Sequence, residues 1–220
     1  MPELDPKRRF RRQRQALVDL LRQKGIQDER VLAAMGEVPR HLFMDQALQR
    51  RAYEDEALPI GLSQTISQPF TVAYQTERLA TRPGERILEI GTGSGYQAAV
   101  LATLGVSLFS VERLRPLFER SRTLLRDLGY RVNCRHGDGT KGWETVAPFD
   151  GIIVTAGAIG IPPALLEQLR EPEDDRPGGR LIIPVGGSGG QVMQRVVRRG
   201  ANNYEREEFD GFSFVPLIPD

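Results

Sequence analysis

The stretch Leu88-Glu89-Ile90-Gly91-Thr92-Gly93-Ser94-Gly95 places three glycines at alternate positions directly after a short apolar run. Glycine at a strand end lets the backbone turn sharply and approach a ligand closely. On its own such a loop is weak evidence, because many glycine-rich turns bind nothing. Glu112 follows 17 residues after Gly95, at the end of a second apolar run. A carboxylate there can accept hydrogen bonds from both hydroxyls of a ribose. Asp138-Gly139 ends a third run, where an acidic side chain can accept from an adenine amino group. The alternative for Asp138 is a turn cap between Gly137 and Gly139. Three successive ligand-facing turns together point to an adenosyl group. The spacing Gly91-x-Gly93-x-Gly95 departs from the dinucleotide fingerprint G-x-G-x-x-G, which weakens a nicotinamide reading.

These turns require a parallel sheet to hold them. Short apolar runs alternating with helical patterns from Arg86 onward predict an α/β fold of that kind. The expected strands are Arg86–Ile90, Val106–Val111, Arg131–Arg135, Gly151–Thr155 and Arg180–Pro184, with helices over Tyr96–Leu104, Arg115–Leu128 and Pro162–Arg170. Alternation in Gln191–Arg199, a turn at Gly200–Asn203 and a run at Phe209–Ile218 predict antiparallel strands closing the sheet. Nearer the start, Leu17, Leu20 and Leu21 predict a helix over Gln15–Lys24 ended by Gly25. A second helix follows from Asp28 to just before Pro39. The chain between Pro39 and Pro69 has poor periodicity and reads as ordered connecting chain, while Glu171–Arg176 and Gly186–Gly190 read as flexible loops. The expected organisation is one domain: 1–75 with N-terminal helices and an active-site lip, 76–190 as cofactor core, and 191–220 as C-terminal strands.

Bulk properties exclude several classes. The 30 basic and 29 acidic residues of the 220-residue chain nearly cancel, giving no polyelectrolyte signal for nucleic acid or an acidic membrane. The basic run Arg8-Arg9-Phe10-Arg11-Arg12 reads as a solvated helix end or tail in preference to an RNA contact. Cys134 is the single cysteine, so an internal disulfide and a cysteine zinc cluster are ruled out, and core filling is its expected role. His41 and His136 lie far apart without metal-ligand spacing, and no metal is expected. Trp143 reads as core or pocket wall. No stretch approaches the ~20 apolar residues of a membrane span, and no apolar core of a secretory signal follows the basic run. A soluble, cytoplasmic, monomeric protein is the expectation.

The cofactor motifs resemble those of class I S-adenosylmethionine methyltransferases, a Rossmann-like fold with helices on both faces of the sheet. Elsewhere the resemblance narrows. Val38-Pro39-Arg40-His41-Leu42-Phe43, Ala52-Tyr53-Glu54-Asp55, Leu58-Pro59-Ile60-Gly61 and Gln64-Thr65-Ile66-Ser67-Gln68-Pro69 are similar to the protein-L-isoaspartate methyltransferase pattern. So are Gly137-Asp138-Gly139-Thr140, Pro148-Phe149-Asp150, Pro177-Gly178-Gly179-Arg180, Ile183-Pro184-Val185-Gly186 and Phe214-Val215-Pro216-Leu217. The match runs from about Gly25 to the end, and Gln64–Pro69 is its most discriminating part. It departs at Met44-Asp45, at Gly157–Gly160 and in the Lys7–Arg14 leader.

The resemblance implies methyl esterification, from S-adenosyl-L-methionine, of the free carboxyl of L-isoaspartyl and also D-aspartyl residues in damaged proteins and peptides. It implies Ser67 as the active-site position, with Thr65, Ile66 and Ser67 forming a lip over the reacting centre. Gly91, Gly93, Ser94, Gly95, Glu112, Arg113, Asp138, Gly139 and Thr155 are the implied cofactor contacts. Val215, Pro216 and Leu217, with Ser67, are the implied substrate contacts. The chemistry itself needs little: a carboxylate of pKa near ~4 is ionised at neutral pH and requires no general base. Two rivals stand beside this reading. A small-molecule or nucleic-acid methyltransferase would share the core, but no Asn/Asp-Pro-Pro-aromatic motif is present. A non-catalytic adenosyl-binding module would not need the Gln64–Pro69 lip.

Overall fold

The structure, a computed structural model, describes residues 6–187 and 189–219, with the backbone alone for residues 6–9. Strands β1 (Leu58–Gly61) and β2 (Gln64–Ile66) form a separate hairpin. The main sheet contains β3 (Arg86–Ile90), β4 (Ser107–Glu112), β5 (Val132–His136), β6 (Gly151–Val154), β7 (Arg180–Val185), β8 (Gln191–Gly200) and β9 (Asn203–Phe212). Their order across the sheet is β5-β4-β3-β6-β7-β8-β9, parallel through β7 and antiparallel for the last two. The chain starts in the middle at β3, builds outward to β5, then returns to place β6 beside β3. That reversal is a topological switch point, and the crevice beyond the carboxyl ends of such strands is where ligands bind in open α/β sheets.

The central strands are apolar on both faces because both faces are covered. Ile87, Leu108, Ile153 and Ile182 pack under helices α3 (Pro69–Leu79), α4 (Tyr96–Thr103) and α5 (Arg115–Asp127). Leu88, Phe109, Val111, Ile152, Leu181 and Ile183 face the short α6 (Pro163–Glu167) and the chain around Trp143 and Phe149. Helix α5 shows how sequence sets this packing: Leu117, Ser121 and Leu125, four apart, are its buried residues. Gly95 has no side chain where a Cβ would lie 3.2 Å from Leu125 Cγ, so the start of α4 approaches α5 closely.

At the N-terminus α1 (Pro6–Gln23) buries Leu17 and Leu21 against α2 (Glu29–Glu37), at ~1.5–3 kcal/mol for each fully buried side chain. Gly25, at φ 98°, ends α1 as expected, with the Ile26 amide donating to the Leu21 carbonyl. Asp28 caps α2 through the Arg30 amide. Helix α1 begins nine residues before the expected Gln15, so the basic leader is helical; the side chains of Lys7, Arg8 and Arg9 lie outside the described residues.

Three expectations need correction. The connecting chain up to Pro69 contains two 3-10 turns and the β1–β2 hairpin, and α3 follows it without having been anticipated. Its buried face carries Thr71, Gln75 and Thr76 among apolar residues, which blurs the periodicity. The last strand is Asn203–Phe212, and residues 213–219 leave the sheet apart from one bridge between Gly157 and Pro216. The helix expected over Pro162–Arg170 is only Pro163–Glu167, because Leu169 and Arg170 pair with Phe149 instead. Of the two loops read as flexible, Glu173 and Arg176 exchange backbone hydrogen bonds in a tight turn; Ser188, in the other, lies outside the described residues. Charged residues line the outer strand β9, which discourages edge-to-edge pairing.

Candidate active site

The glycine loop leaves β3 with Gly91 at φ 96°, Gly93 at φ 53° and Gly95 at φ 90°, conformations that L side chains rarely adopt. A Cβ on Gly91 would lie 2.6 Å from Thr155 Oγ1, whose hydroxyl donates to the Gly91 and Ile90 carbonyls. On Gly139 it would lie 2.4 Å from Ile90 Cγ2. The Thr155 and Ile90 side chains thus fill the space that a Cβ on Gly91 or Gly139 would need, and glycine at these two positions lets the ends of β3, β5 and β6 pack closely.

The cavity they surround is lined by Thr65, Ile66 and Ser67 from the hairpin side and by Gly91, Thr92, Gly93 and Ser94 from the loop. Glu112 and Arg113 follow β4, Gly139 follows β5, and Thr155 follows β6. Val215, Pro216 and Leu217 close it from the C-terminal segment, which is anchored by mutual backbone bonds between Gly157 and residues Val215 and Leu217. Apolar wall is supplied by Ile90, Val111, Leu114 and Leu117. The buried Glu112 carboxylate accepts from the Gly93 amide through Oε2 and from the Leu114 amide through Oε1, both at 2.8 Å. Each oxygen keeps a second lone pair for a ligand hydroxyl. A glycine-walled pocket with one oriented carboxylate and an apolar flank suits an adenosyl group.

Two residues singled out in the sequence do not line this cavity. Gly95 faces α5, as described. Asp138 turns its Oδ1 onto the Thr140 amide and hydroxyl, holding the turn that carries Gly139. An open groove of about 1070 Å³ adjoins the cavity, and the two share Thr65, Ser67, Thr155 and Val215. The groove continues along Gln68, Phe70, Asp210, Phe212 and Phe214. Ser67 is half-buried where the two meet.

Several contributors were not visible in the sequence. Glu89 is fully buried in β3 and accepts from the Ser110 hydroxyl, which also contacts the Thr92 hydroxyl of the glycine loop at 2.5 Å. Burial pushes the Glu89 carboxyl up to about 8; the Ser110 hydrogen bond pulls it back in part, and the Glu112 charge pushes it further. An acidic residue inside an otherwise apolar strand was the available signal. Arg40, also fully buried, donates from Nη2 to the Ser67 carbonyl at 2.9 Å. The histidines stand apart: His41 stacks on Phe10 and bonds Tyr53, and His136 meets the Arg113 carbonyl. Cys134 is half-buried on β5, with its thiol pushed up to about 11 by burial. Trp143 packs edge-on against Phe109. No cluster of three or more metal-ligating side chains occurs among the described residues.

The family profile of protein-L-isoaspartate(D-aspartate) O-methyltransferase (PCMT) matches residues 12–220. A protein-L-isoaspartate O-methyltransferase of Salinibacter ruber is 61% identical over 217 residues, covering 97% of this chain and 94% of its own length. One from Chlorobium phaeovibrioides is 52% identical over 216 residues, covering 95% and 91%. A solved protein-L-isoaspartate O-methyltransferase superimposes with a TM-score of 0.82 at 28% identity, over 92% of this chain and 65% of that one. A Plasmodium falciparum structure of the same description, holding S-adenosyl-L-homocysteine, shares the fold with a TM-score of 0.81 at 24% identity, over 94% and 99%. With glycine loop, Glu112 and the Gln64–Pro69 lip gathered around one cavity, and with this coverage, the chain belongs to the protein-L-isoaspartate(D-aspartate) O-methyltransferase family.

Proposed function

We propose that this protein methylates the free carboxyl of L-isoaspartyl residues, and also D-aspartyl residues, in damaged proteins and peptides, with S-adenosyl-L-methionine as donor. The observation carrying the reading is the junction of cavity and groove at Thr65, Ser67, Thr155 and Val215. A small cofactor in one and an extended polypeptide in the other would meet there.

S-adenosylmethionine supplies an electrophilic methyl group on a sulfonium. The residues of this chain bind, orient and exclude water. Gly91, Gly93 and Ser94 cradle the cofactor, the Glu112 carboxylate accepts from its ribose, and Thr65, Ile66, Arg113, Gly139 and Thr155 complete the wall. Gly95 and Asp138 act at one remove, by setting the loop against α5 and the turn that presents Gly139. Ser67 donates a hydrogen bond that orients the substrate carboxylate, and Val215, Pro216 and Leu217 support the peptide. The carboxylate attacks already ionised, so the absence of both histidines from the lining costs nothing. Charge is neutralised as the ester forms, so a site that aligns the oxygen and excludes water favours the transition state. Without the enzyme, the following backbone nitrogen then attacks the ester carbonyl and expels methanol, giving a succinimide, and water opens part of that succinimide to normal aspartate.

Residues 1–75 supply the lip, 76–190 the cofactor core and 191–220 the groove wall of one domain. We place the protein in the cytoplasm as a monomer acting on protein, without nucleic acid; no helix among the described residues is long and apolar enough to cross a membrane. The test is methyl transfer from labelled S-adenosylmethionine to paired peptides identical except for an aspartyl or isoaspartyl linkage. Transfer to the isoaspartyl peptide alone is expected, and cofactor binding with transfer to neither would overturn the assignment.

A further inference from the structure

Arg40 is a buried cation that forms no ion pair among the described residues. Its side chain is 0% exposed, and Nη2 donates to two backbone carbonyls, Ser67 at 2.9 Å and Glu56 at 3.4 Å. Nε and Nη1 have no partner among the described residues. The guanidinium lies 4.8 Å from the centre of the Tyr96 ring, the first residue of α4 and part of the cavity wall. Asp55 attracts it from a distance, but that carboxylate is committed to Lys24, the Phe70 amide and Gln68. Burial pulls the Arg40 pKa down only to about 10, so it remains charged at neutral pH.

An uncompensated buried charge is costly, and a hydrocarbon side chain or a paired arginine would avoid the cost. Its position offers the reason for keeping it. The guanidinium holds the backbone of Ser67, one of the four residues shared by cavity and groove. Resting on the proposed function, we propose that Arg40 is a specificity-determining cation, whose unneutralised charge selects an ionised substrate carboxylate over a neutral group at Ser67. The isoaspartyl carboxylate is the counter-ion the fold withholds. Because the charge disappears on esterification, Arg40 favours the bound substrate over the bound ester, and its effect falls on substrate binding more than on turnover.

The experiment compares binding of two β-linked peptides, one isoaspartyl and one isoasparaginyl, to protein saturated with S-adenosylhomocysteine, whose neutral sulfur removes the sulfonium charge and whose ammonium, like Arg113 of the cavity wall, is common to wild type and variants. The wild type is expected to prefer the carboxylate by about tenfold, an attraction weakened by the intervening protein but only slightly screened by salt. Arg40→Lys should retain most of the preference, whereas Arg40→Met and Arg40→Gln should reduce it to about twofold or less. A merely structural arginine would weaken both peptides equally and leave the ratio unchanged, which overturns the proposal. Should the neutral variants fail to fold, salt decides on the wild type: a ratio that collapses between about 50 and 500 mM salt assigns it to surface charges and overturns Arg40's role. A wild type that binds neither peptide would instead bring down the proposed function, and this inference with it.

Discussion

Replacing Glu89 by glutamine should flatten the dependence of stability on pH. The carboxyl has an ordinary pKa near 4.5 and is raised to about 8 in the folded protein, chiefly by burial. Between those values the native state keeps a proton that the unfolded chain has lost, so stability falls as pH rises. The contribution is fully present below 4.5 and is gone once pH passes the folded value. From about pH 6 to pH 9, three units at about 1.4 kcal/mol each are offset by the unit or so over which the native carboxyl itself ionises. The net loss is about 2–3 kcal/mol, or about 5–10 °C in melting temperature for a chain of this size. Glutamine cannot ionise, yet it keeps a carbonyl to accept from Ser110. Thermal melts of wild type and Glu89→Gln across that range measure the difference directly. Equal slopes for the two would refute the raised carboxyl.

Ser67→Ala should lower turnover by about 10–100-fold, the worth of a hydrogen bond to a charged group, with S-adenosylhomocysteine affinity nearly unchanged; a loss confined to cofactor binding, by titration calorimetry, would remove the serine from the chemistry. Gly91→Ala combines a left-handed backbone with a Cβ 2.6 Å from Thr155 Oγ1, so about 2–3 kcal/mol of stability and much of the cofactor affinity should go. Wild-type denaturant unfolding together with wild-type cofactor affinity would contradict that. Leu62 and Ser63 occupy the hairpin tip at φ 54° and 57°, where Asn-Gly is strongly preferred. The double change Leu62→Asn and Ser63→Gly should raise stability by about 1–2 kcal/mol, seen as a higher melting temperature, since Leu62 is 54% exposed and gives up little packing.

The sequence by itself determined what local chemistry dictates. Apolar runs of strand length alternating with helical spacing define a parallel sheet, and glycines just after β3 mark where its backbone must turn left-handed. Gly25 and Asp28 announced helix ends through caps that involve only neighbouring residues. Similarity of the Gln64–Pro69 segment to a known pattern located the lip, although nothing in its own periodicity predicted a hairpin there.

Tertiary structure decided the rest, because the remaining contacts join residues far apart in sequence. Helix α3 could not be read from its pattern, since its polar face is buried against partners supplied elsewhere: Gln75 donates to the Val154 carbonyl, and Thr76 meets Gln97. The final strand stops at Phe212 because Val215 and Leu217 exchange backbone bonds with Gly157, drawing the C-terminal segment across the cavity. Arg40 looks like an ordinary charged residue in the sequence and Glu89 stands out only as an acid within an apolar run, and burial turns them into a cation without an ion pair among the described residues and a carboxyl that holds its proton at neutral pH. Desolvation is a property of everything packed around a group, which no local window of residues contains.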